Sequence, residues 1–343
     1  MKAIQIHACG GADLLRYEET SDPKLEAAGD VIVKVRAAAA NRADLALRSN
    51  RSASTSALPR ITGRDGAGTI VAVGAAVNHL EIGDPVCFYP LIGCGNCNEC
   101  AIEREHLCAG RAVLGADRHG TYAEYVTLPA RNCFAMPADL GFEEAAALPW
   151  VYVAVWRLLI TQARLQPGEL LLISGAGGVG SAAFVLGRAL ATHLIVVSAN
   201  AEKLAKAEGL GAEHCVDRKG DWVKEVRSIT GKRGVDVVVD SVGGKDWSKS
   251  LAALARGGRL VTCGTMSGDD ASTDLRRVFW NHLKIFGAST GSRAEFRRLL
   301  EFFAANAAKP IIDRIYPLRD AAQAHRRMEA GAAFGKIILT ADA

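Results

Sequence analysis

The stretch that most constrains this chain is a glycine-rich turn held between two different periodicities. Residues 169–174 (ELLLIS) form a short apolar run with the length of a fully buried strand. Gly175-Ala176-Gly177-Gly178-Val179-Gly180 follows, and residues 179–192 then carry apolar side chains at helical spacing. A G-x-G-x-x-G pattern is weak by itself. Inside a βαβ unit of ~30 residues it reads as a dinucleotide turn. Gly175 permits the tight turn, Gly177 lets the main chain approach a pyrophosphate, and Gly180 lets helix and strand pack closely. Gly178 and Val179 open the helix, whose free N–H groups suit an anion.

The alternation continues downstream. Residues 194–197, 215–216, 235–240, 259–263 and 283–287 read as further buried strands. Helical repeats separate them: a run through Leu204 and Leu210, then Trp222, Val223, Val226 and Ile229, then Trp247, Leu251 and Leu254. Buried strands alternating with amphipathic helices predict an α/β doubly wound parallel sheet. Upstream, residues 30–36, 68–74, 83–88 and 122–126 are short β-rich runs broken by Gly, Pro and Asp, which predict a small β-barrel-like domain. Helices are expected over 295–307 and 320–329, and a final strand over 336–340. That strand has no evident βαβ partner nearby and is expected to return to the first domain. The predicted domains are therefore residues 1–130 with 290–343, and a dinucleotide-binding domain over 131–289. Residues 49–59 read as a loop.

The length of 343 residues and a 49% hydrophobic content suffice for two cored domains and exclude a disordered chain. The 41 basic and 37 acidic residues leave a net charge of +4, spread along the chain, which makes no case for nucleic acid or membrane. The apolar stretch over 145–156 falls short of the ~20 residues a membrane helix needs, and Pro149 interrupts it. The opening residues MKAIQIHACGG lack the apolar core of a signal peptide, so a cytoplasmic location is expected. In a reducing compartment the nine cysteines do not predict a disulfide framework.

Four of them lie close together: Cys94, Cys97, Cys100 and Cys108, a C-x2-C-x2-C-x7-C run. Four thiolates close a tetrahedral shell around Zn²⁺ and leave no position for substrate, so the predicted site is structural. It would pin a lobe over residues 93–110, with Glu99, Glu103 and Glu105 facing solvent. The first three cysteines also resemble an iron–sulfur run, but the last gap is long and no proline follows Cys108. Cys9, Cys87, Cys133, Cys215 and Cys263 read as small core residues.

The end of the second strand selects the nucleotide. An acidic residue ~20 positions after the turn would hold a ribose 2′-OH and repel a 2′-phosphate. Ser198 occupies that place, followed by Asn200 and Lys203, with Arg218 after the third strand and Glu202 expected to face water. Small polar groups and cations predict NADPH over NADH.

Further short motifs complete the pattern: Gly63-Arg64-Asp65-Gly66-Ala67-Gly68, Ile82-Gly83-Asp84-Pro85-Val86, Asp240-Ser241-Val242-Gly243 and Gly335-Lys336-Ile337-Ile338-Leu339. With the four cysteines and the turn, they resemble the medium-chain dehydrogenase/reductase superfamily over essentially the whole chain. The resemblance implies a GroES-like catalytic domain, a Rossmann domain, a homodimer joined through the Rossmann sheets, and a small-molecule substrate. It adds Ser241, Val242, Gly264 and Lys336 to the expected cofactor-binding residues.

The zinc alcohol dehydrogenases of that superfamily hold a catalytic zinc through a Cys, a His and a second Cys. At the corresponding positions this chain has Asn41, Arg64 and Trp150. A guanidinium and an indole do not ligate Zn²⁺. The stretch Asn41-Arg42-Ala43-Asp44 is instead similar to the zinc-independent quinone oxidoreductase branch. The expected function is NADPH-dependent hydride transfer to a quinone or an α,β-unsaturated carbonyl, with Asn41 and Arg64 stabilising the oxygen that gains charge. The alternatives are an alcohol or aldehyde dehydrogenase of the same superfamily, or a non-catalytic NADPH-binding protein responsive to redox state. Arg64 could instead pair with Asp65 or Asp44, and Trp150 and Tyr152 could wall a pocket or be core.

Overall fold

The computed structural model describes residues 1–50 and 57–341, so the expected loop over 49–59 lies partly outside the described residues. The chain forms two compact units, Met1–Val153 with Ser292–Ala343, and Ala154–Gly291.

In the first unit a seven-stranded sheet runs in the order Cys133–Ala135, Pro85–Phe88, Asp65–Val73, Asp30–Ala40, Lys336–Thr340, Ile312–Pro317, with Tyr125–Pro129 also pairing with Asp30–Ala40. Val31, Val33 and Val35 alternate inward along the long strand, and Ala37 to Ala40 are buried on both sides. Lys336–Thr340 joins antiparallel to that strand, so the end of the chain does return to the first unit. It does have a βαβ partner, contrary to expectation. Ile312–Pro317 lies parallel to it, across the helix Ala321–Glu329. The sequence of Ile312–Pro317 carries no strand signal, because Asp313 and Arg314 break its apolar run and Ile315 beside them is exposed. Residues 131–153 also belong here, because Cys133–Ala135 pairs antiparallel with Pro85–Phe88.

The second unit is a six-stranded parallel sheet in the order His214–Asp217, His193–Ser198, Leu170–Ser174, Val235–Asp240, Leu254–Thr262, Lys284–Gly287. Its strands are near-continuous Val, Leu and Ile, as a sheet covered on both faces requires. The strand order reverses beside Leu170–Ser174, which is where such sheets place a ligand, outside the carboxyl ends of the strands. Leu254, expected on the helix before it, begins the strand Leu254–Thr262 instead. No helix among the described residues is long and apolar enough to cross a membrane.

Candidate active site and metal centre

The glycine turn has the geometry its residue types predict. Gly175 has φ +101°, and a Cβ there would sit 2.7 Å from the Ser241 Oγ. A Cβ on Gly180 would lie 1.9 Å from the Gly175 carbonyl oxygen, so no side chain lets this turn close. A Cβ on Gly177 would meet nothing within 4 Å. Gly177 is the N-cap of the helix Gly178–Ala189, so the space beyond the helix N-terminus is open to a pyrophosphate. Val179 lies in the first turn of that helix.

The other expected cofactor residues of this unit sit at the carboxyl ends of its strands. Ser198 is buried and its Oγ accepts from the Asn200 N–H at 3.2 Å. Asn200 caps the helix Ala201–Gly209, its Oδ1 accepting from the Lys203 N–H at 3.1 Å. Lys203 is buried and Glu202 faces solvent, as expected for the latter. Arg218 donates to the Ser174 Oγ at 2.9 Å and pairs with Asp246 at 3.4 Å, which places its charge at the strand end that leads into the glycine turn. Burial pulls its pKa down from the usual arginine value. The Ser241 Oγ donates to the Ser174 carbonyl at 3.1 Å, and the Val242 N–H donates to Asp240 at 2.8 Å. Gly264 passes so close to Ser241 that a Cβ would sit 2.6 Å from its carbonyl oxygen.

Lys336 is elsewhere, in the first unit. Its register is set by Ile337 opposite Ala40, which brings it beside Asn41. Its buried ammonium donates to the Ala40 carbonyl at 3.2 Å, the Asn41 Oδ1 at 2.7 Å and the Asp65 Oδ2 at 2.9 Å, which engages all three of its protons. Asn41 is buried as well. Its Nδ2 donates to Asp65 at 2.8 Å and to the Ala39 carbonyl at 3.3 Å, so both amide protons are engaged inside the protein. Burial raises the pKa of Asp65, while the Lys336 charge beside it acts the other way.

Arg64 pairs with Asp44, not Asp65: its Nε lies 2.8 Å from the Asp44 Oδ1, with the carboxylate fully buried. The guanidinium lies over the Trp150 ring, 4.7 Å from its centroid, an arrangement that favours a cation. Its two terminal nitrogens have no hydrogen-bond partner among the described residues. Asp44 also accepts from the Asn41 N–H at 2.8 Å through its Oδ2, at the start of the helix Arg42–Arg48. The cluster thus holds two carboxylates and two cations, each carboxylate matched by its own cation. Tyr152 is core: it is fully buried, accepts from the Ile311 N–H at 3.1 Å and stands edge-on to Phe303. The imidazole of His119 accepts from the Ile61 N–H at 3.2 Å.

The partners of Arg64 and Asn41 were only partly readable in advance. Asn41-x-x-Asp44 before an apolar helix is a capping-box signature. Asp65 and Lys336 carry no local signal, because strands distant in sequence bring them together.

The four predicted cysteines converge, with all four Sγ atoms within 4.8 Å of one another. The Cys94 and Cys100 sulfurs are 3.9 Å apart, against ~3.8 Å for the edge of a tetrahedron with 2.3 Å Zn–S bonds. The Asn96 backbone N–H, then the Cys108 and Cys97 thiols, lower the pKa of Cys94, while that of Cys100 rises because the Gly95 backbone that lowers it is outweighed by burial and the Cys97, Cys108 and Cys94 thiols, as thiols sharing protons at one site do. The set therefore fits a structural Zn²⁺. Among the described residues no other group of three or more His, Cys, Asp or Glu brings ligand atoms together, so the residues around Asn41 and Arg64 do not fit a second zinc. Glu105 differs from its expected solvated state. It is buried, and its carboxylate accepts from the Arg293 N–H and faces the Arg293 guanidinium. Cys9 is exposed and Cys215 and Cys263 are half-buried, so only Cys87 and Cys133 are fully core.

A GroES-like β-rich unit carrying a cysteine lobe, joined in sequence to a Rossmann sheet, defines the class. Residues 27–138 match the family model "Alcohol dehydrogenase GroES-like domain", and residues 178–305 match "Zinc-binding dehydrogenase". An NAD-dependent alcohol dehydrogenase from Sulfolobus acidocaldarius is 34% identical over 99% of both chains. An alcohol dehydrogenase from Geobacillus stearothermophilus is 31% identical over 96% of both. The solved structure of an NAD-dependent alcohol dehydrogenase superposes with a TM-score of 0.94 at 34% identity, covering 100% of each chain. This chain belongs to the zinc-type alcohol dehydrogenase-like branch of the medium-chain dehydrogenase/reductase superfamily.

Proposed function

We propose that this chain is an NADPH-dependent oxidoreductase that reduces a quinone or an α,β-unsaturated carbonyl without a catalytic zinc. The observation that carries this reading is Arg64. One edge of its guanidinium is held by Asp44, one face rests on Trp150, and its terminal nitrogens are left to donate. The bound nicotinamide supplies the hydride. Arg64 donates to the acceptor's oxygen, where negative charge gathers as hydride adds to a quinone or to the β-carbon of an enone. Because the cluster is already charge-balanced, it suits a neutral acceptor more than a carboxylate. Asn41 then acts as a brace: with both amide protons engaged, it holds Asp65 and Lys336 in place. Lys336 belongs to the same brace.

The NADPH preference is supported by Ser198 in place of an acidic residue and by Arg218 over the adjoining strand end. A homodimer is supported by the sheet edge Lys284–Gly287 and the neighbouring helix Leu275–Trp280, where Leu275 is 72%, Phe279 64% and Trp280 63% exposed. Sedimentation as a monomer at micromolar concentration would refute it. The second reading is an alcohol dehydrogenase, favoured by the names of the relatives above.

Following oxidation of NADPH and NADH against a panel of quinones, enones and, in reverse, alcohols decides between them. Arg64→Ala is expected to lower kcat/KM for the acceptor by roughly a hundredfold, the size of losing one charged donor. Rates within twofold of wild type would end the proposal. Metal analysis is expected to return one zinc per chain, and two would sink the zinc-free reading.

A further inference from the structure

Behind Arg64 lies a line of buried polar side chains that neither zinc binding nor the dinucleotide turn uses. Tyr122 is fully buried, and its ring occupies the space over Gly63, where a Cβ would sit 2.1 Å from the Tyr122 Cδ1. Gly63 has φ +89° and directly precedes Arg64, so the tyrosine is seated on the backbone that presents the arginine. The Tyr122 hydroxyl lies 3.2 Å from the His325 Nε2, with the two rings edge to face. His325 is also fully buried, and its Nδ1 lies 3.4 Å from the Arg48 Nη1. Arg48 is buried in turn, donating to the Gly10 carbonyl at 3.1 Å and pairing with Glu329.

Donor directions along this line follow from chemistry. Arg48 has only protons to offer, so the His325 Nδ1 accepts and its Nε2 carries the ring proton. Burial holds the imidazole neutral, with its pKa down to about 4. The Nε2 proton is therefore donated to the Tyr122 oxygen, which ties the ring seated over Gly63 to the helix Ala321–Glu329. The proximity of Asp44, after burial itself, raises the Tyr122 pKa well above its ordinary value. Asp44 is the group that holds the Arg64 Nε.

We propose that Tyr122 and His325 are positioning residues that fix the backbone at Gly63, and so aim the terminal nitrogens of Arg64 at the acceptor. The proposal rests on the role given to Arg64 above, but its test can be read without it. In protein labelled with ¹⁵N at arginine Nε, the Arg64 signal is assigned by its loss in Arg64→Lys. Hydrogen exchange at that Nε is expected to quicken at least roughly tenfold in Tyr122→Phe, the effect of releasing one buried hydrogen bond. The kcat for whichever acceptor wild type reduces is expected to fall by a similar factor, with KM for the cofactor within twofold. His325→Leu is expected to behave like Tyr122→Phe, and His325→Gln, which keeps a donor near Nε2, to restore most of both readouts. Arg64 exchange that stays within twofold in both Tyr122→Phe and His325→Leu would overturn the inference, whatever the acceptor. Faster exchange in a protein that reduces no quinone or enone would overturn the functional reading and leave the positioning line standing.

Discussion

Two regions of the first unit hold clustered ionisable groups by opposite means. The cysteine lobe takes its four sulfurs from fifteen consecutive residues, and Cys94 at its edge is exposed. It gathers four like groups that repel once ionised, so it is completed only by a cation from outside. The cluster of Asn41, Asp44, Arg64, Asp65 and Lys336 draws on three separate stretches of the chain, residues 41–44, 64–65 and 336, and is buried throughout. It carries its own cations, each at about hydrogen-bond distance from its carboxylate, 2.8 Å for Arg64 and 2.9 Å for Lys336. The first region is suited to a metal from outside, whereas the second is matched by cations of the chain itself.

The largest effect should come from the lobe. Zinc binding contributes about 10–16 kcal/mol to folding in small zinc domains. Chelation, or Cys108→Ser, is therefore expected to make residues 93–110 cleavable by protease while residues 154–291 stay resistant. Equal resistance of the lobe with and without zinc would break the contrast. A smaller loss is expected from Lys336→Met, which leaves Asp65 buried without its cation and should cost about 3–5 kcal/mol in denaturant unfolding. Asp65→Asn in the same chain should recover most of that. A single-variant loss below about 1 kcal/mol would mean the cluster is not self-compensating.

The smallest effect is in pH. His325 faces Arg48, Asp44 and Glu329, and burial lowers its pKa from 6.5 to about 4 in the folded protein. Between those values the unfolded chain takes up a proton that the folded chain refuses. Stability is thus fully supported above pH 6.5 and is lost as pH falls towards 4, by about 3 kcal/mol. His325→Gln should flatten that slope. An unchanged slope would show that other groups set the acid sensitivity.

The contrast also explains what was legible in sequence. The lobe and the glycine turn are local: fixed spacings bring Cys94 to Cys108 together, and Gly175 and Gly180 sit where no Cβ fits. Both could be read residue by residue. Arg64 could be singled out, but not its choice of Asp44 over Asp65, because Asp65 adjoins it in sequence while Asp44 reaches it only through the placement of the helix Arg42–Arg48. Lys336 is expected among the cofactor residues, and its contact with Asp65 has no signal in sequence, since only the antiparallel register of Ile337 with Ala40 reveals its neighbour. The strand Ile312–Pro317 stayed hidden because its charged pair Asp313 and Arg314 breaks the apolar pattern.

The central place of Lys336–Thr340 bears on how the molecule is made. Residues 154–291 contain every strand of their own sheet, so that unit can close while the chain is still emerging from the ribosome. The other sheet has a gap between Asp30–Ala40 and Ile312–Pro317 that only a strand near residue 340 fills. Until it docks, Asp65 has no ammonium beside it and the Asn41 Oδ1 lacks its donor. The counter-ion of Asp65 thus comes from a residue 271 positions further along the chain, so the buried pair forms only once the strand Lys336–Thr340 has docked.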